Sequence, residues 1–478
     1  MMSNPKRLHP TAMIFKMLEM IKDSIIGLLP LAVLILRDGF FGYIFYIVIG
    51  IVALMITSSI IYWLRFTYEV TDDEIRIEQG LFIRKKRYIS KNRIQSIDLT
   101  QSVIHRIFGL TKVQIETAGS DRDVDASLSS VQMVEGERIH DELKSTNGVE
   151  NDEEELDNFD FHPDPKREVT TKRLVIAGST SGSLGVLLGL FGFLFSQMES
   201  ILPESFYDEM FAFFLSLAIN VIVILVIVVV LVLYLLGILG TVIKYGKFTI
   251  TRYENELFIT RGLLEKKQMT IPLKRIQAVG ITESIIRQPF GFCTVYVEIA
   301  GGEVQEGSGT KTLLFPILKK TEVKSFLDDI LPEYAHIPEN MNPAPKRALP
   351  YYLVRALFIP VIALIATFIF IPEWYIIPVI VFILGAILGY LNYRAVGYHL
   401  DEELNELTLS YRRIGKETVL LKHRRIQSIT KSKHIIQRKQ NLASIHVSLL
   451  NNFGGRHIFI NELNLKDIHK ITDWYSLR

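Results

Sequence analysis

The chain has 478 residues, of which 49% are hydrophobic, with a mean hydropathy of +0.26 and a formal net charge of +2. That length leaves room for several domains, and the apolar residues are gathered into membrane-length runs, which excludes one large soluble core. The small net charge gives no support to bulk nucleic-acid binding, and the single cysteine, Cys293, excludes an intrachain disulfide and a cysteine-based zinc site.

In chain order, residues 1–24 carry Lys6, Arg7, Lys16 and Lys22 among apolar residues, and no small-residue cleavage site follows. They read as an uncleaved cytoplasmic segment rather than a signal peptide. A first pair of apolar runs, 21–36 and 41–64, turns at Arg37-Asp38-Gly39; the first run is short, charge-free only over 25–36 and interrupted by Pro30. The period then changes to two over 68–71 and 74–78, with a turn at Gly80-Leu81 into 82–89, and again over 113–117, which predicts half-buried antiparallel strands. A helical pattern at 131–143 closes this stretch. Residues 147–165 hold eight acidic and no basic residues and predict a charged, disordered spacer.

The second pair of runs covers 174–196 and 211–243. Gly178, Gly182, Gly185 and Gly189 fall on one side of a helix and predict a close-packing surface, and Asn220 predicts an interhelical hydrogen bond. Alternation resumes at 247–251, 256–261 and 294–299, turning at Gly262, and a helix is expected at 319–331. Residues 332–350 contain five prolines and predict an extended spacer. The third pair, 352–371 and 374–391, has Arg355 near an end, where it can snorkel to headgroups. Strands follow at 407–411, 418–421 and 444–449. A last helix at 465–474 carries Ile468, Ile471 and Trp474 as an apolar stripe able to cap a sheet.

Loop charge sets the expected orientation. The turn at 197–210 holds Glu199, Glu204, Asp208 and Glu209 without Lys or Arg, and the turn of the third pair offers only Glu373. The opposite side carries Lys166, Arg167, Lys172, Arg173, Lys244, Lys247, Lys346, Arg347 and Arg394. Both termini and the intervening β-rich regions are expected in the cytoplasm of a multi-pass protein of the bacterial inner (plasma) membrane.

The β-rich regions are copies of one another. Residues 91–119, 273–301 and 423–451 align without a gap around Arg93-Ile94-Gln95, Arg275-Ile276-Gln277 and Arg425-Ile426-Gln427. The first two also share Thr100/Thr282, Ser102/Ser284, Phe108-Gly109/Phe290-Gly291 and Glu116/Glu298. A repeat of this kind decides architecture. The expected fold is an α+β multi-domain membrane protein: three transmembrane helix hairpins (six spans), each followed by a cytoplasmic β-barrel or split sandwich of about seven strands with a C-terminal helix, a pleckstrin-homology (PH)-like module. The boundaries are 1–64 (segment and hairpin), 65–146 (domain), 147–173 (acidic linker), 174–243 (hairpin), 244–332 (domain), 333–350 (Pro-rich linker), 351–392 (hairpin) and 393–478 (domain).

The run from Gly80 to Gly119, and from Gly262 to Gly301, with Arg-Ile-Gln, Phe-Gly and a final Glu-x-Ala-Gly, resembles the second type of bacterial PH-like domain, a domain of membrane proteins. The triplicated arrangement with paired spans is similar to a Bacillus-group type of membrane protein. Unit three departs from the pattern: Arg412 stands at the turn glycine, and Gln440-Asn441 replaces Phe-Gly. The resemblance implies fold and membrane placement. It also makes a smaller membrane protein with the same domain type a plausible partner, and a role in guarding the envelope against membrane-active peptides an expectation.

No P-loop, Gly-x-Ser-x-Gly or His-Glu-x-x-His occurs, and the eleven histidines are scattered. The expectation is no catalytic, metal or cofactor site. In the alternating pattern Ile94, Ile276 and Ile426 point inward, and the repeated Arg93, Gln95, Arg275, Gln277, Arg425 and Gln427 read as structural, with a domain–domain or partner contact as the alternative. The candidate surface for lipid or partner is basic: Arg84, Lys85, Lys86 and Arg87; Lys266 and Lys267; Arg412, Arg413, Lys431, Lys433, Arg438 and Lys439. Aromatic interleaving suited to nucleic acid is missing. The expected function is a non-enzymatic scaffold that binds membrane lipids, a membrane-protein partner or further copies of itself; the alternative is a transporter or lipid-handling membrane protein using the six spans as a pathway.

Overall fold

The computed structural model describes residues 5–37, 41–71, 73–81, 83–117, 126–144, 165–198, 219–300, 311–451 and 455–476. The acidic linker and the turn between the second pair of runs therefore lie largely outside the described residues.

Unit one starts before its hairpin. Strand β1 (Lys6–Arg7) is followed by the hairpin helices α1 (Ala12–Arg37) and α2 (Phe41–Arg65), then β2 (Thr67–Val70), β3 (Glu74–Gln79), β4 (Lys85–Ser90) and β5 (Ile94–Gln101). A short helix α3 (Val103–Ile107) precedes β6 (Leu110–Thr117), β7 (Ala126–Gln132) and the closing helix α4 (Met133–Lys144). Unit two repeats this with β8 (Lys166–Glu168), α5 (Thr171–Ser179), α6 (Ser183–Met198), α7 (Ile219–Tyr245), β9 (Thr249–Arg252), β10 (Glu256–Arg261), β11 (Lys266–Pro272), β12 (Ile276–Glu283), β13 (Phe292–Ile299), β14 (Lys311–Lys319) and α8 (Val323–Ile330). Unit three has β15 (Asn342–Pro343), α9 (Leu349–Phe370), α10 (Ile376–Ala395), β16 (Gly397–Asp401), β17 (Glu406–Arg412), β18 (Lys416–Lys422), β19 (Ile426–Ser432), α11 (Ile435–Lys439), β20 (Leu442–Leu449), β21 (Arg456–Asn464) and α12 (Leu465–Ser476).

Each unit is a split sandwich of four strands and three. Alternation places one residue in two in the core: Ile75, Ile77, Ile89, Ile97, Val113 and Ile115 in unit one are all at most 7% exposed. The closing helix lays its apolar stripe on the sheets, with Ile468, Ile471 and Trp474 buried in unit three.

The sheets do not stop at unit boundaries. The strand orders are β1-β2-β3-β4, β7-β6-β5-β11-β10-β9-β8, β14-β13-β12-β18-β17-β16-β15 and β19-β20-β21. Strand β5 of unit one pairs antiparallel with β11 of unit two, Lys266 opposite Gln101. Strand β12 of unit two pairs with β18 of unit three, from Ala278 opposite Leu421 to Glu283 opposite Lys416. Leu420 belongs to the core of unit two and Ala278 to that of unit three. The three units thus form a head-to-tail row.

The segment 332–350, expected to be an extended spacer, is packed instead. Leu331, Tyr334 and Ala335 join the core of unit two, and Ala344 and Ala348 that of unit three. Its Asn342–Pro343 strand pairs with β16. Strands β1 and β8 likewise return to pair with β2 and β9 across their hairpins.

Among the described residues four helices are long and apolar enough to cross a membrane: Val48–Arg65, Asn220–Tyr245, Lys346–Phe370 and Ile376–Ala395. The other two expected spans fall on α1, a 26-residue helix that starts in the charged segment, and on α5 and α6, which are broken at Thr180 and are 9 and 16 residues long. Gly178 meets α7 closely: a Cβ there would lie 2.9 Å from Ile238 Cα and 3.2 Å from Ile238 O, both backbone. Gly182, Gly185 and Gly189 have open space, so the close approach rests on one glycine and not on a stripe of four. Gly178→Leu is expected to force α5 off α7 and lower the detergent melting temperature by several degrees, while Gly185→Leu leaves it unchanged; equal effects would contradict this. Asn220 lies exposed at the start of the described part of α7.

Candidate interaction surfaces: joints, seams and membrane-facing corners

One repeat position, at the same offset in each copy, fastens hairpin to unit with three different residues. In unit one it is His105, whose ring stacks on Phe15 of α1 at 3.8 Å. His105 Nε2 donates to Ser129 O at 2.8 Å, which leaves Nδ1 to accept from Ser102 Oγ at 2.7 Å. Burial lowers the His105 pKa, so the ring is neutral near pH 7. In unit two the position is Arg287, which donates to Ala177 O and to Thr180 Oγ1, each at 2.9 Å, at the end of α5 where helical carbonyls lack partners. Burial depresses its pKa also. In unit three it is Gln437, which donates to Glu462 Oε1 at 3.3 Å, and Arg355 of α9 donates to the same oxygen at 2.7 Å. Arg355 therefore bonds to the third unit.

The short segment at each joint, α3 and its C-cap in unit one, residues 285–290 in unit two and α11 in unit three, exposes apolar side chains. Val103, Ile107 and Phe108, then Ile285, Ile286 and Phe290, then Ile435 and Ile436, are 41–72% exposed. Loss of Phe-Gly in unit three does not change the corner's backbone: Gly109, Gly291 and Asn441 have φ of 64°, 67° and 51°. Asparagine is among the few residues that tolerate this region. The hairpin tips beside the helix ends also expose apolar groups, Ile83, Leu264 and Ile414, and Arg65 of α2 donates to Leu81 O at 2.6 Å. Between the first hairpin and unit one lies a cavity of about 380 Å³ lined by Phe15, Lys16, Tyr62, Arg87, His105 and Lys112 among others.

The basic residues singled out from sequence do not form one surface. Arg84, Lys85, Lys86 and Arg87 are exposed at one end of the row, the last three within β4. Lys431, Lys433, Arg438 and Lys439 lie at the other end, partly or fully exposed. Lys266 and Lys267 pair with Gln101 and Thr100 at the first seam. Arg412 is 7% exposed and bonds to Gln288 of unit two and to Ile414 O at the second seam, while its neighbour Arg413 is exposed.

The Arg-Ile-Gln copies each sit where a 3-10 turn enters a strand, so the arginine precedes the alternating segment. Ile276 and Ile426 are buried, and Ile94 is partly buried against the core. Arg93 is exposed; Arg425 is half-buried with Nε unbonded. Arg275 is 7% exposed, donates to Ala300 O at 2.8 Å, and lies 3.6 Å from Glu116 of unit one. Burial lowers its pKa against the opposing pull of Glu116. Gln277 is 4% exposed and donates to Arg275 O, whereas Gln427 is exposed; the Gln95 side chain is outside the described residues.

The second seam is dominated by residues that the sequence did not mark as site residues. Glu298 of unit two accepts from Asn451 at 2.8 Å and faces Arg456 at 3.3 Å, both of unit three. Glu417 of unit three meets Lys311 of unit two at 2.6 Å and Arg456 at 3.3 Å, and accepts from Tyr411 at 2.6 Å. The sharing of Glu116 and Glu298 between copies was the available signal. At the first seam, Arg275→Met is expected to destabilise by about 2 kcal/mol, since it leaves Glu116 buried without its cation. Adding Glu116→Gln should recover part of that; a strictly additive double mutant would deny the coupling.

Taken together, membrane-length helices, thrice-repeated PH-like sandwiches and hairpin joints define an integral membrane protein with three bacterial PH-like domains. The chain belongs to the bacterial PH domain family, which matches residues 24–146, 210–333 and 353–478. It is 35% identical over 491 residues to the UPF0699 transmembrane protein YdbT of Bacillus subtilis (strain 168), covering 100% of this chain and 99% of that relative. The UPF0699 transmembrane protein YdbS of the same organism is 27% identical over 148 residues, 29% of this chain and 90% of that shorter relative.

Proposed function

We propose that the chain is a non-enzymatic scaffold of the bacterial plasma membrane, crossing it six times and presenting its three units to the cytoplasm for lipid headgroups and protein partners. The observation that carries this is the pair of seven-stranded sheets running across both seams, which hold three membrane-anchored units in one fixed row. Polar side chains at the seams and joints are spent on holding these units to each other and to their helices. The cytoplasmic placement rests on loop charge, with Lys and Arg on the unit side of the hairpins. Lipid contact is supported by the apolar corners and hairpin tips beside the helix ends, with Lys16, Arg87 and Lys112 around the adjoining cavity.

Purification of the full chain in mild detergent should recover a stoichiometric protein or anionic lipid, and Asn220→Leu should not change what is recovered. Solute flux through reconstituted vesicles that Asn220→Leu abolishes would replace the scaffold with a transporter. For the envelope role, deletion should raise sensitivity to pore-forming peptides; unchanged sensitivity removes that role.

A further inference from the structure

The row has two open ends, and they are unlike. At each seam a downstream unit offers the edge formed by β11 or β18, and an upstream unit inserts the edge formed by β5 or β12. The equivalent of the receiving edge in unit one is β4, which has no strand beside it on its outer side among the described residues. Burial records the difference: Thr270 and Leu420 are 7% and 3% exposed, and Tyr88 at the same repeat position is 59% exposed. The charge of the occupied edges is retained there, because Arg84 stands where Lys266 and Lys416 stand.

The inserting edge of unit three has lost the matching chemistry. Glu283 lies opposite Lys416, and the equivalent residue in unit three is Lys433. Glu116 and Glu298 receive arginine from the next unit, and their equivalent is Ser448. A second copy docking end to end would set Lys433 against Arg84 and offer Arg93 no carboxylate. Like charges at such a contact select against the pairing.

We propose that β4 of unit one is a docking edge for a separate one-unit membrane protein of the same family, which adds its β5-type strand to the row and carries carboxylates at the positions of Glu116 and Glu283. This rests on the scaffold reading and names its partner class. Main-chain pairing supplies the affinity, as at the two internal seams, and the carboxylates set polarity. A lone exposed strand edge otherwise invites nonspecific pairing, which Arg84, Lys85 and Lys86 discourage until an acidic partner arrives.

The test uses the full-length one-unit Bacillus subtilis relative as probe, co-expressed with the tagged full-length chain and solubilised in mild detergent. Wild type is expected to retain the probe, Arg84→Glu/Lys85→Glu to retain at least about tenfold less, and Arg438→Glu/Lys439→Glu at the far end to match wild type. No retention by wild type, or equal retention by the β4 variant, overturns the proposal. So does end-to-end association of wild-type chains through β4, which would make a second copy the occupant. Because a β4 variant could fail by misfolding, a gain of function is read as well. Lys433→Glu/Ser448→Glu gives unit three the two acids of unit two, Glu283 and Glu298, and should drive concentration-dependent end-to-end association, which adding Arg84→Glu abolishes. A chain that stays monomeric with both acids restored also counts against the docking edge. None of these failures removes the scaffold reading, which is judged by what the wild-type chain recovers through any surface.

Discussion

Glu417→Ala is expected to open the seam between units two and three. The carboxylate is the common acceptor for Lys311, Tyr411 and Arg456, with Tyr296 Oη at 3.4 Å, and its side chain is 17% exposed. Removing it takes the carboxylate from Lys311 and leaves Arg456 with Glu298 alone, which costs about 3 kcal/mol, the lower end for a broken buried pair because water reaches the site. That corresponds to roughly a 100-fold rise in amide exchange along β12 and β18, with β9 and β10 unaffected. Unchanged exchange at β18 would show that backbone pairing alone holds the seam. Burial pushes the Glu417 carboxyl up, but Lys311, Tyr411 and Arg456 outweigh it and hold its pKa below the ordinary carboxylate value. Its stabilisation is therefore complete above about pH 4.3 and is lost as pH falls through the lower folded-state value. The alanine variant should be less sensitive to acid over that window than wild type.

Gly262→Val should be the most damaging single substitution in the turns. Gly262 has φ of 104°, and a Cβ would stand 1.8 Å from Glu265 O, a backbone atom with no room to retreat. The left-handed backbone alone costs a side chain about 1–2 kcal/mol, and the clash raises the total to about 3 kcal/mol or more. The turn also holds the first seam, since Arg106 of unit one donates to Leu263 O at 2.6 Å. Gly80→Val meets the same obstacle, Ile83 O at 1.9 Å, but at the open end of the row. Both variants should lower the melting temperature, and only Gly262→Val should speed amide exchange in β5. Identical exchange patterns would mean the turn does not support the seam.

The unit fold was legible because alternation and the closing helical stripes are local signals repeated in three copies, with the turn glycines Gly80 and Gly262 in the first two. The seams were not, because a strand's period reports which face is buried and is silent on what lies along its edge. Arg275 and Arg93 occupy the same motif position, yet one is buried against Glu116 and the other exposed, a difference made by a neighbour rather than by the motif. Strands of two residues, such as Lys6–Arg7 and Asn342–Pro343, carry no period at all. The packed 332–350 segment was missed for a related reason: proline content describes local stiffness, and Leu331, Tyr334 and Ala348 anchor it by long-range burial. The joints at His105, Arg287 and Gln437 share a position but no chemistry, so only the fold brings them together.

The pre-hairpin strands make every helix pair an insertion inside a β-domain rather than an anchor attached to its end. Because β1 and β8 precede their helix pairs in the chain and β2 and β9 follow them, no unit can complete its four-stranded sheet before its own helices have been made. In the closed unit the strands that enter and leave a helix pair are neighbours in one ladder, so a displacement of either helix is carried to both.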